Sequence, residues 1–212
     1  VFVFGISTAG GIEAVADHAR SLPGYLTMFT TYDPTTGTEQ AYPLLNIISM
    51  LAWGLGYFGM PHILLRFMAI EDEEKLKLSR RVATGWVVIS LAVAVLIGII
   101  GLAMTAAGEL IPLEGSASET IIVKIADLMS QHGVLPALLA GTILAGILAS
   151  TMSTADSQLL AASSSVTENL IGGVFNIKLS AKTNIIVARI SVILISIIGI
   201  FLASNPNSSV FQ

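Results

Sequence analysis

The 212-residue chain is 54% hydrophobic and 11% charged, with a mean hydropathy of +0.83, where an ordinary soluble domain carries about 25% charge. This is the composition of a helical integral membrane protein, and the lack of any cysteine excludes a disulfide framework and a thiolate metal centre. The net charge of −4 and the absence of a basic cluster give no reason to expect nucleic acid as a partner.

The opening VFVFGIS is apolar but far shorter than the roughly 20 residues a bilayer requires. It also lacks the charged start and cleavage site of a signal peptide, and reads as a partial span over residues 1–8. The chain has no initiator Met and stops at Ser209-Val210-Phe211-Gln212. It is expected to be an internal piece of a longer transporter-like protein, so that residues 1–212 form a single transmembrane unit that other helices complete.

Residues 10–42 follow as a long polar loop, with turn signals at Pro23-Gly24, Asp33-Pro34 and Thr36-Gly37. Full spans are expected at about 43–69, 82–107, 134–162 and 185–203, each close to or above spanning length. The segment 70–81 between the first two is densely charged and reads as a short solvated loop. In 108–133, Ser116-x-x-Glu119 has the form of a capping box. Ile121, Ile122, Ile125 and Met129 then predict a short amphipathic helix at the membrane surface. Residues 169–184 read as another short loop.

Basic residues set the orientation. Arg66, Lys75, Lys77, Arg80 and Arg81 flank one short loop, and Lys178, Lys182 and Arg189 the other. Only Arg20 and Lys124 lie opposite, eight against two. Loops 70–81 and 169–184 are therefore expected in the cytoplasm, and loops 10–42 and 108–133 outside.

The first span contains Trp53-Gly54-Leu55-Gly56-Tyr57-Phe58-Gly59-Met60-Pro61-His62. Three glycines and a proline within eight residues weaken a helix strongly. Broken backbone in a membrane persists only where protein or a cavity satisfies it, and transporters hold substrate at such breaks. Freed amides can meet a carboxylate while Trp53 and Tyr57 wall a small apolar side chain. The competing reading is a kink that lets helices pack closely. Gly54-x-Gly56-x-x-Gly59 also matches a dinucleotide fingerprint, but no strand precedes it and no βαβ unit surrounds it, so a nucleotide site is not expected. Asn46 is expected in an interhelical hydrogen bond, and Arg66 at the interface by snorkelling. His62 has no second histidine or carboxylate at ligand spacing, so no metal site is expected there.

In the third span Ser150, Ser153, Thr154 and Ser157 recur at i, i+3, i+4 and i+7, four hydroxyls on one helical face. Hydroxyl and carbonyl oxygens are hard ligands suited to a small desolvated cation. Serines and threonines also join membrane helices, at roughly 0.6 kcal/mol per bond. Asp156 and Gln158 beside the stripe favour the cation, while Asp156 itself reads as a structural carboxylate near the cytoplasmic end.

Taken together, the Trp53–His62 motif with Arg66-Phe-Met-Ala, the Arg80-Arg81 entry, and Ser150-Thr-Met-Ser153-Thr154-Ala-Asp-Ser-Gln158 with Ser163-Ser-Ser-Val-Thr167-Glu168 resemble the sodium:solute symporter family, most closely its sodium/proline members. The resemblance runs over essentially the whole chain. It implies an all-α membrane protein, part of a leucine-transporter-type bundle of two inverted five-helix repeats. It implies sodium as the coupling ion, no organic cofactor and no enzyme activity. Ser153 and Thr154 hydroxyls and the Ser150 backbone carbonyl would hold sodium. Trp53, Tyr57 and Pro61 would line the solute site. Met60 departs from the Gln that many proline symporters carry there. The implied partners are a small solute such as proline, the lipid of a bacterial plasma membrane and the transporter's remaining helices. Alternatives are another solute of the family, or a transporter-like input module of a membrane sensor kinase. A serine hydrolase lacks a His or Lys base beside Ser153.

Overall fold

The computed structural model describes residues 1–57, 59–177 and 179–204. Phe58 of the glycine-rich motif, Lys178 of the basic count and the Ser209–Gln212 end lie outside the described residues. The chain divides into two compact units, Val1–Leu144 and Ala145–Gln212.

The first unit begins with α1 (Phe2–Thr8) and α2 (Ile12–Ser21), then a hairpin of β1 (Thr30–Asp33) and β2 (Thr38–Ala41). The strands pair antiparallel with Thr30 opposite Ala41 and Asp33 opposite Thr38. The stretch 10–42, expected as a loop, is therefore folded, although its Asp33-Pro34 and Thr36-Gly37 signals do mark the hairpin turn. The Gly37 amide donates to the Asp33 carbonyl at 2.9 Å, and Gly37 takes a φ of 67°, which favours glycine. Asp33 caps the turn by accepting from the Thr35 amide (2.8 Å), the Thr35 and Thr36 hydroxyls (2.6 and 2.9 Å) and the Gln40 side-chain amide (2.6 Å).

The broken segment α3 (Leu44–Tyr57) and α4 (Pro61–Met68) comes next, then the long α5 (Glu73–Ala106). The charged stretch expected as a loop is thus mostly the first turns of α5. Asp72 is the N-cap and accepts from the Glu74 amide at 3.0 Å, and Glu73 and Glu74 complement the helix dipole. Lys75 meets Glu71 at 2.7 Å. Charge density suggested a solvated loop, but Glu, Lys, Leu and Arg are also good helix formers. At 1.5 Å per residue this 34-residue helix is about 50 Å long, more than the ~30 Å hydrocarbon core. Its charged start can stand in water while its apolar remainder spans.

The core of this unit forms where α1, α2, the C-terminal half of α5 and α6 (Ile121–Ser130) meet. Met104 and Ile125 are wholly buried, with Ile100, Ala103, Ala9 and Val15 around them. Glycine is required at two helix crossings. A Cβ at Gly5 would lie 2.5 Å from Ile100 Cγ2, and one at Gly101 would collide with Ile121. Such small-residue contacts let membrane helices approach closely. The predicted amphipathic helix is α6, with Ile125, Ala126 and Met129 buried. Ser116 does not cap it. A 3₁₀ turn, Gly115–Thr120, leads in, and Thr120 at the N-cap makes no side-chain cap. Here the capping-box pattern failed because the chain tightens into i→i+3 bonds before the α-helix starts.

Helix α7 (Val134–Ser164) begins in the first unit, where Ala140 packs with Ala126 and Met129. In the second unit it continues as a π-helical segment, Ser165–Val174, before α8 (Ala181–Ala203). Residues 169–174 and 181–184 of the expected loop 169–184 are therefore helical. The loop proper ends at Ser180, which caps α8 by accepting from the Thr183 amide at 3.3 Å. Among the described residues, α5, α7 with its π extension and α8 are long and apolar enough to cross a membrane, and α3 with α4 makes a fourth if the bent pair is one span. The chain is predominantly helical, as expected, with one small hairpin added.

Candidate functional site

The break between α3 and α4 bends the pair by 49°. Its cause is local. Pro61 opens α4 at the first helical position, where its missing N–H is harmless, and Met60 before it is extended at φ −73°, ψ 120°. The Gly59 amide closes back to the Gly56 carbonyl at 3.0 Å and the Met60 amide to the Tyr57 carbonyl at 3.3 Å. At the start of α4, Pro61 has no amide and the Ile63 and Leu64 amides already donate to the Met60 carbonyl at 3.0 and 3.1 Å, so the backbone the break frees lies mainly in the last carbonyls of α3. Trp53 and Tyr57, one turn apart on α3, stack at 5.6 Å between ring centroids with 35° between planes. They are 60% and 50% exposed, and among the described residues nothing outside the local helix backbone and chain neighbours lies within 4 Å of where a Cβ would stand on Gly54 or Gly56. Pro61 is exposed as well. The segment thus presents two aromatic faces and a glycine-lined surface that this chain leaves uncovered. His62 is half-buried and Asn46 exposed, and no interhelical bond from Asn46 is seen among the described residues.

On α7 the predicted hydroxyl face is present. The Ser153 hydroxyl donates to the Ser150 carbonyl at 2.9 Å, and the Thr154 hydroxyl donates to the same carbonyl at 3.2 Å. The Ser157 hydroxyl donates to the Ser153 carbonyl at 2.9 Å. Three oxygens, from residues 150, 153 and 154, therefore cluster on one exposed face. Each hydroxyl rotates freely and keeps two lone pairs while its proton is engaged. An arriving cation can take those lone pairs, and the carbonyl as well once the protons swing aside. The donor set fits a hard cation, and completing its shell requires oxygens from elsewhere. Asp156 is exposed and makes no hydrogen bond or ion pair among the described residues, so it does not join the cluster. Among the described residues there is also no group of three or more His, Asp or Glu able to hold a metal ion.

The Ser–Thr cluster lies in the second unit and the aromatic pair in the first. Sequence reasoning missed the π segment and the two side-chain bonds that fasten it to α8, Ser163 to Ala188 and Asn184 to Glu168. The run Ser163-Ser164-Ser165 was the available signal, since serine hydroxyls compete for helix carbonyls.

The sodium:solute symporter family profile matches residues 1–212. The chain belongs to this family. Its members are transporters rather than enzymes. Among similar proteins, the osmoregulated proline transporter OpuE of Bacillus subtilis is 40% identical over 169 residues, which cover 80% of this chain and 33% of that protein. Sodium/proline symporter 2 of Staphylococcus saprophyticus is 41% identical over 172 residues, 80% of this chain and 32% of that protein. The sodium/proline symporter of Staphylococcus aureus is 41% identical over 171 residues, 79% of this chain and 32% of that protein. The chain spans about a third of the length of these curated relatives. No solved structure matches it significantly.

Proposed function

We propose that the chain is part of a symporter that uses inward sodium flow to take up a small amino acid, proline, by alternating access. Membership in the family supports the sodium coupling, and similarity at 40–41% identity to proline transporters supports proline. The observation that carries the site is the convergence of the Ser153 and Thr154 hydroxyls on the Ser150 carbonyl. In this reading those three oxygens replace part of the water shell of sodium. Trp53, Tyr57 and Pro61 line the solute pocket, and backbone freed at the break meets the solute. The remaining ligands and walls come from helices of an inverted-repeat bundle that lie beyond this chain. The segments 70–81 and 169–184 face the cytoplasm and the segments 10–42 and 108–133 the outside, by the same basic-residue asymmetry.

Coupling follows from differential affinity alone. Sodium that binds the solute-competent state more tightly shifts the population toward it, and solute then raises sodium affinity by the same factor. The test is sodium-dependent uptake by the complete transporter. Ser153→Ala and Thr154→Ala each remove one oxygen from a charged ligand shell. Each should raise half-saturating sodium by about tenfold or more, the equivalent of losing a hydrogen bond to a charged group. Unchanged sodium dependence in both variants refutes the site.

A further inference from the structure

The second unit contains a device that the sodium site does not use. Two side-chain bonds tie the end of α7 to the start of α8. The Ser163 hydroxyl, 3% exposed, donates to the Ala188 carbonyl at 2.9 Å. The Asn184 side-chain amide donates to Glu168 Oε1 at 2.7 Å. On α8 the anchor points Asn184 and Ala188 are four residues apart and share a face. On the facing chain, Ser163 and Glu168 are five apart. Five residues of α-helix turn through about 500°, which leaves Glu168 roughly 140° away from Ser163. A π turn closes its bonds at i→i+5 and returns residues five apart to the same side. The π form starts at Ser165, between the two anchor points, and its wider turn brings Glu168 nearer to the Ser163 side than α geometry would. The Phe175 amide keeps that register by donating to the Leu170 carbonyl at 3.0 Å. Where α gives way to π, the buried Thr167 hydroxyl donates to the Ser163 and Ser164 carbonyls at 3.1 and 3.2 Å, satisfying groups the change of register disturbs.

We propose that Ser163, Glu168 and Asn184 are positioning residues for sodium coupling, locking the π register of α7 against α8 and so fixing the rotational setting of the residue 150, 153 and 154 oxygens. This rests on the sodium reading above. Thr154 and Ser163 are nine residues apart on one unbroken helix, about 13 Å. A return of the π segment, Ser165–Val174, to α geometry rotates α7 as a whole relative to the chain that leads into α8. That gives a two-state element whose equilibrium the ion can bias.

The experiment uses the complete transporter in proteoliposomes. It records half-saturating sodium, half-saturating proline at saturating sodium, and amide hydrogen exchange over residues 165–174. Asn184→Ala should raise half-saturating sodium about threefold, leave the proline value unchanged and speed exchange in the segment. Ser163→Ala should behave likewise, and serves if Asn184→Ala does not assemble. Glu168→Gln keeps an acceptor oxygen for Asn184 and should keep wild-type sodium dependence. Unchanged half-saturating sodium in Asn184→Ala or Ser163→Ala overturns the proposal. So does a Glu168→Gln shift as large as that of Asn184→Ala. Ser153→Ala and Thr154→Ala run in parallel separate the two ideas. If they shift sodium dependence while the lock variants do not, the lock alone fails. If they leave it unchanged, the sodium site itself fails, and the lock's proposed role fails with it.

Discussion

The corner built by α1, α5 and α6 and the broken segment α3–α4 are both rich in apolar residues and glycine, yet they use them oppositely. In the corner, Gly5 and Gly101 are pressed against Ile100 and Ile121, and Met104 and Ile125 are wholly buried. In the broken segment, no described residue outside the local helix comes within 4 Å of a Cβ position on Gly54 or Gly56, and Trp53 and Tyr57 stay half or more exposed. A glycine that admits a neighbouring helix is structural. A glycine that faces open space beside a proline break is available for a ligand or for another part of the transporter. The same residue type therefore has two physical meanings, and only contacts tell them apart.

Substitutions can break that contrast. The largest effect is expected from Gly101→Leu. Overpacking a filled core costs about 1–3 kcal/mol, and here the added atoms enter space that Ile121 already fills. The folded yield of the complete transporter should fall sharply, whereas Gly56→Ala should assemble normally, as size-exclusion profiles in detergent can show. Equal yields would dissolve the distinction. The next effect, about tenfold, is the loss of sodium affinity in Thr154→Ala described above. Smaller again is Tyr57→Ala, which removes one stacked wall. It should weaken apparent proline affinity about fivefold while sparing the maximal rate, because aromatic contacts contribute roughly 0.5–1.5 kcal/mol beyond burial. Normal affinity in an uptake assay would remove Tyr57 from the pocket.

The smallest effect concerns the hairpin. The Thr35 hydroxyl, its backbone amide and the Thr36 hydroxyl hold the Asp33 carboxyl below its ordinary value of 3.8. A lowered folded pKa means that the stabilisation is complete above that ordinary value and is lost as pH falls through the folded value. Amide protection factors in residues 30–41, which correct for the intrinsic slowing of exchange in acid, should therefore fall on acidification below about 3.8. Asp33→Asn should flatten the dependence, and an unchanged profile would separate the turn from the carboxylate.

Much of this organisation was legible in the sequence. Hydropathy located the long apolar helices α5, α7 and α8 and the bent pair α3–α4, because a bilayer demands long apolar runs. Gly54, Gly56, Gly59 and Pro61 announced a break because each weakens a helix for a local reason. The i, i+3, i+4, i+7 spacing placed four hydroxyls on one face, and the structure keeps them there. What escaped depended on partners distant in sequence or on competition between helix types. The charged residues 73–81 became helix through the Asp72 cap and good propensities that charge counting ignored. The π segment needs α8 beside it, since Ser163 and Glu168 find their partners 25 and 16 residues away. The Thr38–Ala41 strand is exposed along its length, so it carries little of the in–out alternation that marks a strand.

The pairing of the Ser153 and Thr154 hydroxyls with the Ser150 carbonyl has a consequence for the transport cycle. A carrier must travel back empty, and bare polar groups in an oily interior would make that journey slow. On this helix the Ser153 and Thr154 hydroxyls donate to the Ser150 carbonyl, so neither donor is orphaned on that face. In the proposed sodium site, an ion that binds has to compensate for those two internal bonds, which ties ion choice and turnover to the same few atoms.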